Sequence, residues 1–130
     1  MAGAPSGAKG AAGAAPAVIR PGELALERET ENPISFRRIV RRDRHGAGLS
    51  MTWIRLKGRH RRLVCHETDR VYYILTGSAE FRLGDAPAQT TSAGDSVFIP
   101  RGTPYDFDGE MDYLVMNGPA FLPESDVYLD

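Results

Sequence analysis

From Ile34 to Asn117 the chain is cut into short runs rich in Val, Ile, Phe, Tyr and Thr. Each run ends at Gly, Pro or Asp, and this texture limits the fold more than any other feature. The runs fall at 34–41, 49–57, 61–66, 70–76, 79–83, 96–99, 104–107 and 112–117. Beyond Pro33 no stretch repeats its apolar residues at 3.6-residue spacing over a helical length, so the pattern predicts an all-β antiparallel sandwich or barrel. The turns have identifiable chemistry. Gly77-Ser78 is predicted to join two strands as a hairpin, while Ala93-Gly94-Asp95 and Pro100-Arg101-Gly102 supply the flexible glycines and fixed-φ proline of tight bends. An eight-stranded closed sheet of this size holds either its own side chains or one small ligand.

Ahead of this region, residues 1–17 are almost entirely Ala, Gly and Pro and contain nothing large to bury, which predicts a disordered tail. Residues 18–130 then form a single domain, starting with a docking segment that takes one helical turn after Pro21. A formal net charge of -1 gives no general attraction to nucleic acid or to an anionic membrane. The charge is nonetheless uneven: ten of the 16 basic residues lie between Arg37 and Arg62, and acidic residues gather in Glu23–Glu31 and from Asp106 onward, so the blocks are expected to neutralise one another. One cysteine, Cys65, excludes an intramolecular disulfide and reads as a small buried hydrophobe. No apolar run approaches the ~18 residues that cross a bilayer, and a cytoplasmic location is expected.

The stretch from Gly58 to Phe81, "GRHRRLVCHETDRVYYILTGSAEF", and its successor from Ala93 to Phe107, "AGDSVFIPRGTPYDF", resemble the two signature motifs of the cupin superfamily. The resemblance covers about residues 49–118 and implies a small jelly-roll β-barrel. In metal-binding cupins these motifs present His-x-His, a Glu, and a later His. The corresponding positions here are Val64, His66, Arg70 and Tyr105, so one ligand of four is kept. Valine cannot ligate, and arginine is a permanent cation that repels a divalent ion. His60 shares strand parity with His66, but six residues at ~3.3 Å each separate them by roughly 20 Å. His45 falls in a polar turn. No metal and no other cofactor is therefore expected.

If the barrel closes as the resemblance implies, His66, Arg70 and Tyr105 converge where a metal would sit. His66 and Tyr105 are then the candidate catalytic residues. Arg70 is the candidate substrate-binding residue, joined by Tyr72 on its own strand and by Trp53 and Arg55 from the facing strand, where the opposite parity remains open. In that trio Arg70 keeps His66 neutral, favours tyrosinate character in Tyr105, and holds an anion. The set suits metal-free isomerisation, epimerisation, dehydration or cyclisation of an anionic or carbonyl-bearing small molecule. A non-catalytic ligand-binding or sensory cupin is the alternative, and a metalloenzyme with unorthodox ligands is a third. An Arg-rich, Ala/Gly-heavy composition points to a bacterial source and to secondary metabolism, with a homodimer as the expected assembly.

Overall fold

A computed structural model describes residues 14–130; most of the expected tail, residues 1–13, lies outside the described residues. After a single 3₁₀ turn at Pro21–Glu23, the chain forms β1 (Glu27–Arg28), β2 (Ile34–Val40), a four-residue helix α1 (Arg42–His45), β3 (Ser50–Cys65), β4 (Asp69–Leu83), β5 (Gln89–Ser92), β6 (Ser96–Ile99), β7 (Tyr105–Gly118) and β8 (Asp126–Tyr128). All pairings are antiparallel. The sheet runs β1-β2-β3-β7-β4-β5, with β6 also on β4 and β8 also on β3.

Three long strands do most of the building. Runs that the sequence separates are fused: 49–57 with 61–66 in β3, 70–76 with 79–83 in β4, and 104–107 with 112–117 in β7. The expected hairpin at Gly77-Ser78 is therefore absent. Gly77 instead lies within β4, at φ 81°, where a Cβ would stand 2.1 Å from the Glu110 carbonyl oxygen. Across the same seam Gly109, at φ 156°, would place a Cβ 2.3 Å from the Ser78 carbonyl. Only glycine allows two backbones to cross this closely, so the pair marks where the long strands bend from one face of the barrel to the other.

Each bend comes with a bulge, and each bulge resets which residues face inward. On β4, Ile74 pairs with Tyr113 and Thr76 with Asp112, one residue too many on the β4 side. Inward positions accordingly change from Arg70, Tyr72 and Ile74 to Ala79 and Phe81. On β3, His60 pairs with Phe107 and Leu63 with Tyr105, and the inward set changes from Leu56 and His60 to Leu63 and Cys65. The core is aromatic: Phe81, Tyr105, Phe107 and Tyr113 are each at most 1% exposed. Each contributes roughly 1.5–3 kcal/mol by burial.

The charge blocks meet on the barrel wall. The buried Asp106 carboxylate accepts from Arg59 (3.1 Å), Arg62 (2.9 Å) and Arg82 (3.0 Å). Burial alone would raise its pKa, but these three guanidinium bonds hold it below the usual carboxylate range. No helix among the described residues is long and apolar enough to cross a membrane.

Candidate functional site

A cavity of about 150 Å³ occupies one end of the barrel. It lies between the even face of β4, the odd face of β7, β2 and the C-terminal segment that carries Phe121 and β8. Its walls are mostly apolar, with Ile34, Phe36, Ile54 and Val115 among them. Through a neck at Glu29, Phe36 and Phe121 it adjoins an outer vestibule of about 470 Å³. Polar side chains are set into these walls from several strands, Arg70, Tyr72, His60, Tyr113, Asn117 and Asp126 among them.

Arg70 enters from β4 and is 4% exposed. Its Nη1 donates to the Tyr105 hydroxyl at 2.9 Å and its Nη2 donates to Asp126 Oδ1. Burial opposes the charge, yet the oxygens of Tyr105, Tyr72 and Asp126 outweigh it, so the guanidinium stays ionised. Tyr105 in turn lies 2.6 Å, oxygen to oxygen, from Tyr72, whose ring lines the cavity. Burial raises the pKa of Tyr105 more than Arg70 lowers it, and raises that of Tyr72 further, so both phenols stay protonated. This corrects the expected tyrosinate character of Tyr105.

His60 lines the cavity from β3 and stacks on Phe107 at 4.7 Å between ring centroids. Its Nδ1 lies 3.0 Å from the Arg61 carbonyl oxygen. A carbonyl can only accept, so Nδ1 carries the proton and Nε2 is the basic nitrogen. Burial pushes the imidazole below its ordinary value, with the Arg61 carbonyl acting the other way. Tyr72 packs edge-on against the same Phe107 ring at 5.3 Å. One fully buried phenylalanine thus orients both a neutral base and a phenol. At the neck, burial and the nearby Glu31 raise the Glu29 carboxyl above its ordinary value.

The expected residues separate into those brought together and those left outside. Arg70, Tyr72 and Tyr105 converge as expected, with Tyr105 one layer behind the cavity wall. His66 does not join them. It is exposed just past the end of β3, over the Gly102 turn, because the bulge after His60 reverses the inward parity. His60 takes the interior position instead. Trp53 and Arg55 also lie outside: the even residues Thr52, Ile54 and Leu56 face inward, while Arg55 binds Asp112 bidentately at 2.9 and 3.0 Å and stacks over Trp53 on the outer face. Asp126 and Glu29 were not singled out in the sequence. The only signal for Asp126 is that a buried arginine requires a carboxylate partner.

A profile of the cupin domain matches residues 56–116. Residues 56–116 thus match the cupin family, and the barrel has the cupin fold. Its fold is similar to that of Streptomyces PAC13 with uridine, at 16% identity, TM-score 0.75, and coverage of 88% of this chain and 91% of that one. PAC13 is described as a nucleoside dehydratase. The polyketide cyclase RemF from Streptomyces resistomycificus is similar at 21% identity and TM-score 0.67, over 85% and 89% of the two chains. KdgF from Halomonas sp. is similar at 14% identity and TM-score 0.67, over 81% and 94%. No curated protein matches the sequence.

Many cupins hold a divalent metal, but the donors at this cupin's interior do not fit one. The barrel places a guanidinium that engages the Asp126 carboxylate, protonated phenols and a single imidazole where several neutral or anionic ligands would have to converge. Among the described residues no three His, Cys, Asp or Glu side chains are grouped to hold an ion.

Proposed function

We propose that this cupin is an enzyme that moves protons on an uncharged, carbonyl- or hydroxyl-bearing small molecule, using its own side chains rather than a metal. The observation that carries this reading is that two complementary groups line one cavity: an imidazole with an unprotonated Nε2, and a phenol linked through Tyr105 to a buried guanidinium. Arg70 can only donate, so Tyr105 accepts from it. Either hydroxyl can donate across the 2.6 Å contact between Tyr105 and Tyr72; with a ligand oxygen in the cavity, Tyr105 donates to Tyr72 and the Tyr72 hydroxyl donates to that oxygen. Each donation strengthens the next. His60 Nε2 takes a proton from a carbon next to a carbonyl, or from a hydroxyl, while Tyr72 stabilises the oxygen on which negative charge grows. The proton returns from the imidazolium at a different atom, which completes an isomerisation, or leaves with a departing hydroxyl, which completes a dehydration.

The charge balance narrows the substrate. Arg70 is neutralised by Asp126, and Arg38 by a bidentate contact to Glu27 at 2.8 and 3.0 Å. With these cations spent, a neutral polar molecule suits the cavity better than an anion. A cavity of about 150 Å³ takes one compact ring, and a larger molecule extends through the neck into the vestibule. The dehydratase and cyclase activities named for PAC13 and RemF belong to the same reaction class and support the reading.

Proton abstraction can be measured before the product is known. The protein is incubated in deuterated water with a panel of neutral cyclic ketones, lactones and nucleosides, and exchange at carbon is followed by NMR. Exchange that falls by about 10²–10⁴ in His60→Gln and in Tyr72→Phe is expected for lost proton transfer. Exchange equal in wild type and His60→Gln would exclude His60 as the base.

A further inference from the structure

Charge outside the neck is balanced differently from charge inside it. The vestibule is walled by Phe36, Val40, Phe121 and Pro123, with Arg38, Arg41 and Arg42 set among them. Two of these arginines are already matched. Arg38 binds Glu27, and Arg41 binds Asp43 at 2.9 and 2.7 Å. Arg42 has no carboxylate partner among the described residues. Its Nη2 donates to the Ala120 carbonyl at 2.8 Å, and its Nε is buried without a hydrogen-bond partner. A carbonyl accepts the bond but carries no net charge, so the guanidinium stays uncompensated. The remaining vestibule carboxylate, Glu29, stands at the neck, where its charged neighbours are Glu31 and Asp126.

Arg42 is also held in place. Ala120 is fully buried; its amide donates to the Ala47 carbonyl at 2.9 Å while its own carbonyl receives Arg42. Both polar groups of one residue thus fix the turn that carries α1 against the C-terminal segment. The next residue, Phe121, is part of the neck, and its amide donates to Ser50 Oγ at 2.9 Å. The cation and the neck therefore share one pinned stretch of backbone. A guanidinium already fixed in position loses little freedom when it binds.

We propose that Arg42 anchors a carboxylate carried by the part of the substrate that remains outside the neck. The inference rests on the reaction proposed above and extends it: the reacting portion in the cavity is uncharged, and the acidic group lies in the vestibule. One unmatched cation calls for one negative charge. A dianionic phosphate would leave net negative charge beside Glu27, Asp43 and Glu29, whereas a carboxylate balances Arg42 and accepts charge-assisted hydrogen bonds from it. The apolar walls suit an alkyl link between ring and carboxylate.

Isothermal titration calorimetry of the full chain tests this with 2-oxocyclohexyl alkanoates of increasing side-chain length, each beside its own methyl ester. At least one acid should bind about tenfold tighter than its ester, the size of one charge-assisted hydrogen bond. Arg42→Gln should cut that preference to less than about twofold and leave the ester affinity unchanged. Arg42→Lys keeps the charge without the planar fork and should retain part of the preference. Arg41→Gln removes a cation that is already matched and should retain all of it. His60→Gln separates the anchor from the reaction, since it should abolish exchange at carbon without altering the ratio of acid to ester affinity. Exchange that proves independent of His60 while the acid preference holds would remove the proposed base and keep the anchor. The inference is overturned if acids and esters bind alike, if no acid in the series binds, or if the preference survives Arg42→Gln or vanishes in Arg41→Gln.

Discussion

Replacing Asp126 with asparagine isolates the cost of holding a guanidinium inside the barrel. The Arg70 side chain is 5% exposed and that of Asp126 is 23% exposed, so the pair is buried on the arginine side and partly wetted on the other. Removing one partner of a fully buried pair costs about 3–5 kcal/mol. Here the asparagine oxygen still accepts from Nη2 and Tyr105 still accepts from Nη1, which lowers the expected cost to about 2–3 kcal/mol. For a chain of this size a kilocalorie moves the melting midpoint by ~4 °C, so Asp126→Asn should melt about 8–12 °C below wild type. The double variant Arg70→Met/Asp126→Asn carries no stranded charge and should be more stable than Asp126→Asn alone, since apolar replacement of a buried pair is often close to neutral. Thermal unfolding followed by far-ultraviolet circular dichroism measures both. A midpoint within about 2 °C of wild type for Asp126→Asn, or a double variant that melts below the single one, would refute the idea that Asp126 compensates Arg70.

Stability should respond to pH through His60. The unfolded imidazole titrates near 6.5 and the folded one below it, so the folded state binds fewer protons in that window. Its contribution is complete above about pH 6.5 and is lost as pH falls toward the folded value, with a slope of at most ~1.4 kcal/mol per pH unit that His60→Gln should remove in urea titrations. Glu29 acts in the opposite sense: its raised carboxyl favours the protonated form, so Glu29→Gln should raise the melting midpoint at neutral pH, and a lowered midpoint counts against its desolvation. Gly77→Ala should cost more than about 3 kcal/mol in urea denaturation, against about 1–2 kcal/mol for Gly84→Ala, which has a positive φ but open space. Equal costs would show that the β4–β7 crossing has slack. Equilibrium dialysis against Zn²⁺ or Mn²⁺ should give no stoichiometric uptake, and uptake abolished by His60→Gln would contradict the donor chemistry of the cavity.

How much of this could be read from the residues depended on where the bulges fall. On β4 the even positions Arg70, Tyr72 and Ile74 run inward from the motif without interruption, and their convergence with Tyr105 was legible. On β3 a bulge between His60 and Leu63 exchanges the two histidines, and nothing in Arg61-Arg62 marks the extra residue. Parity at Trp53 and Arg55 was unreadable for a different reason. Both faces of that stretch carry apolar side chains, Met51 and Trp53 outside and Ile54 and Leu56 inside, so alternation has no contrast. Gly77 reads locally as a turn residue. Its real constraint is the Glu110 backbone, 33 positions away in the chain and invisible to any local pattern. Asp126 sits in a strand of three residues, too short to show a period.

The place of Asp126 also has a temporal meaning. A ribosome releases Arg70 56 residues ahead of its carboxylate, together with β3 and β4, which need β7 between them before they can close. At ~5–20 residues per second that interval lasts several seconds, long compared with hydrophobic collapse. Throughout it, a nascent barrel that packed its interior would have to dehydrate an unpaired cation. Closing the mouth over Arg70 before β8 emerges would bury a cation with no carboxylate beside it, so closure becomes favourable only once Asp126 is available.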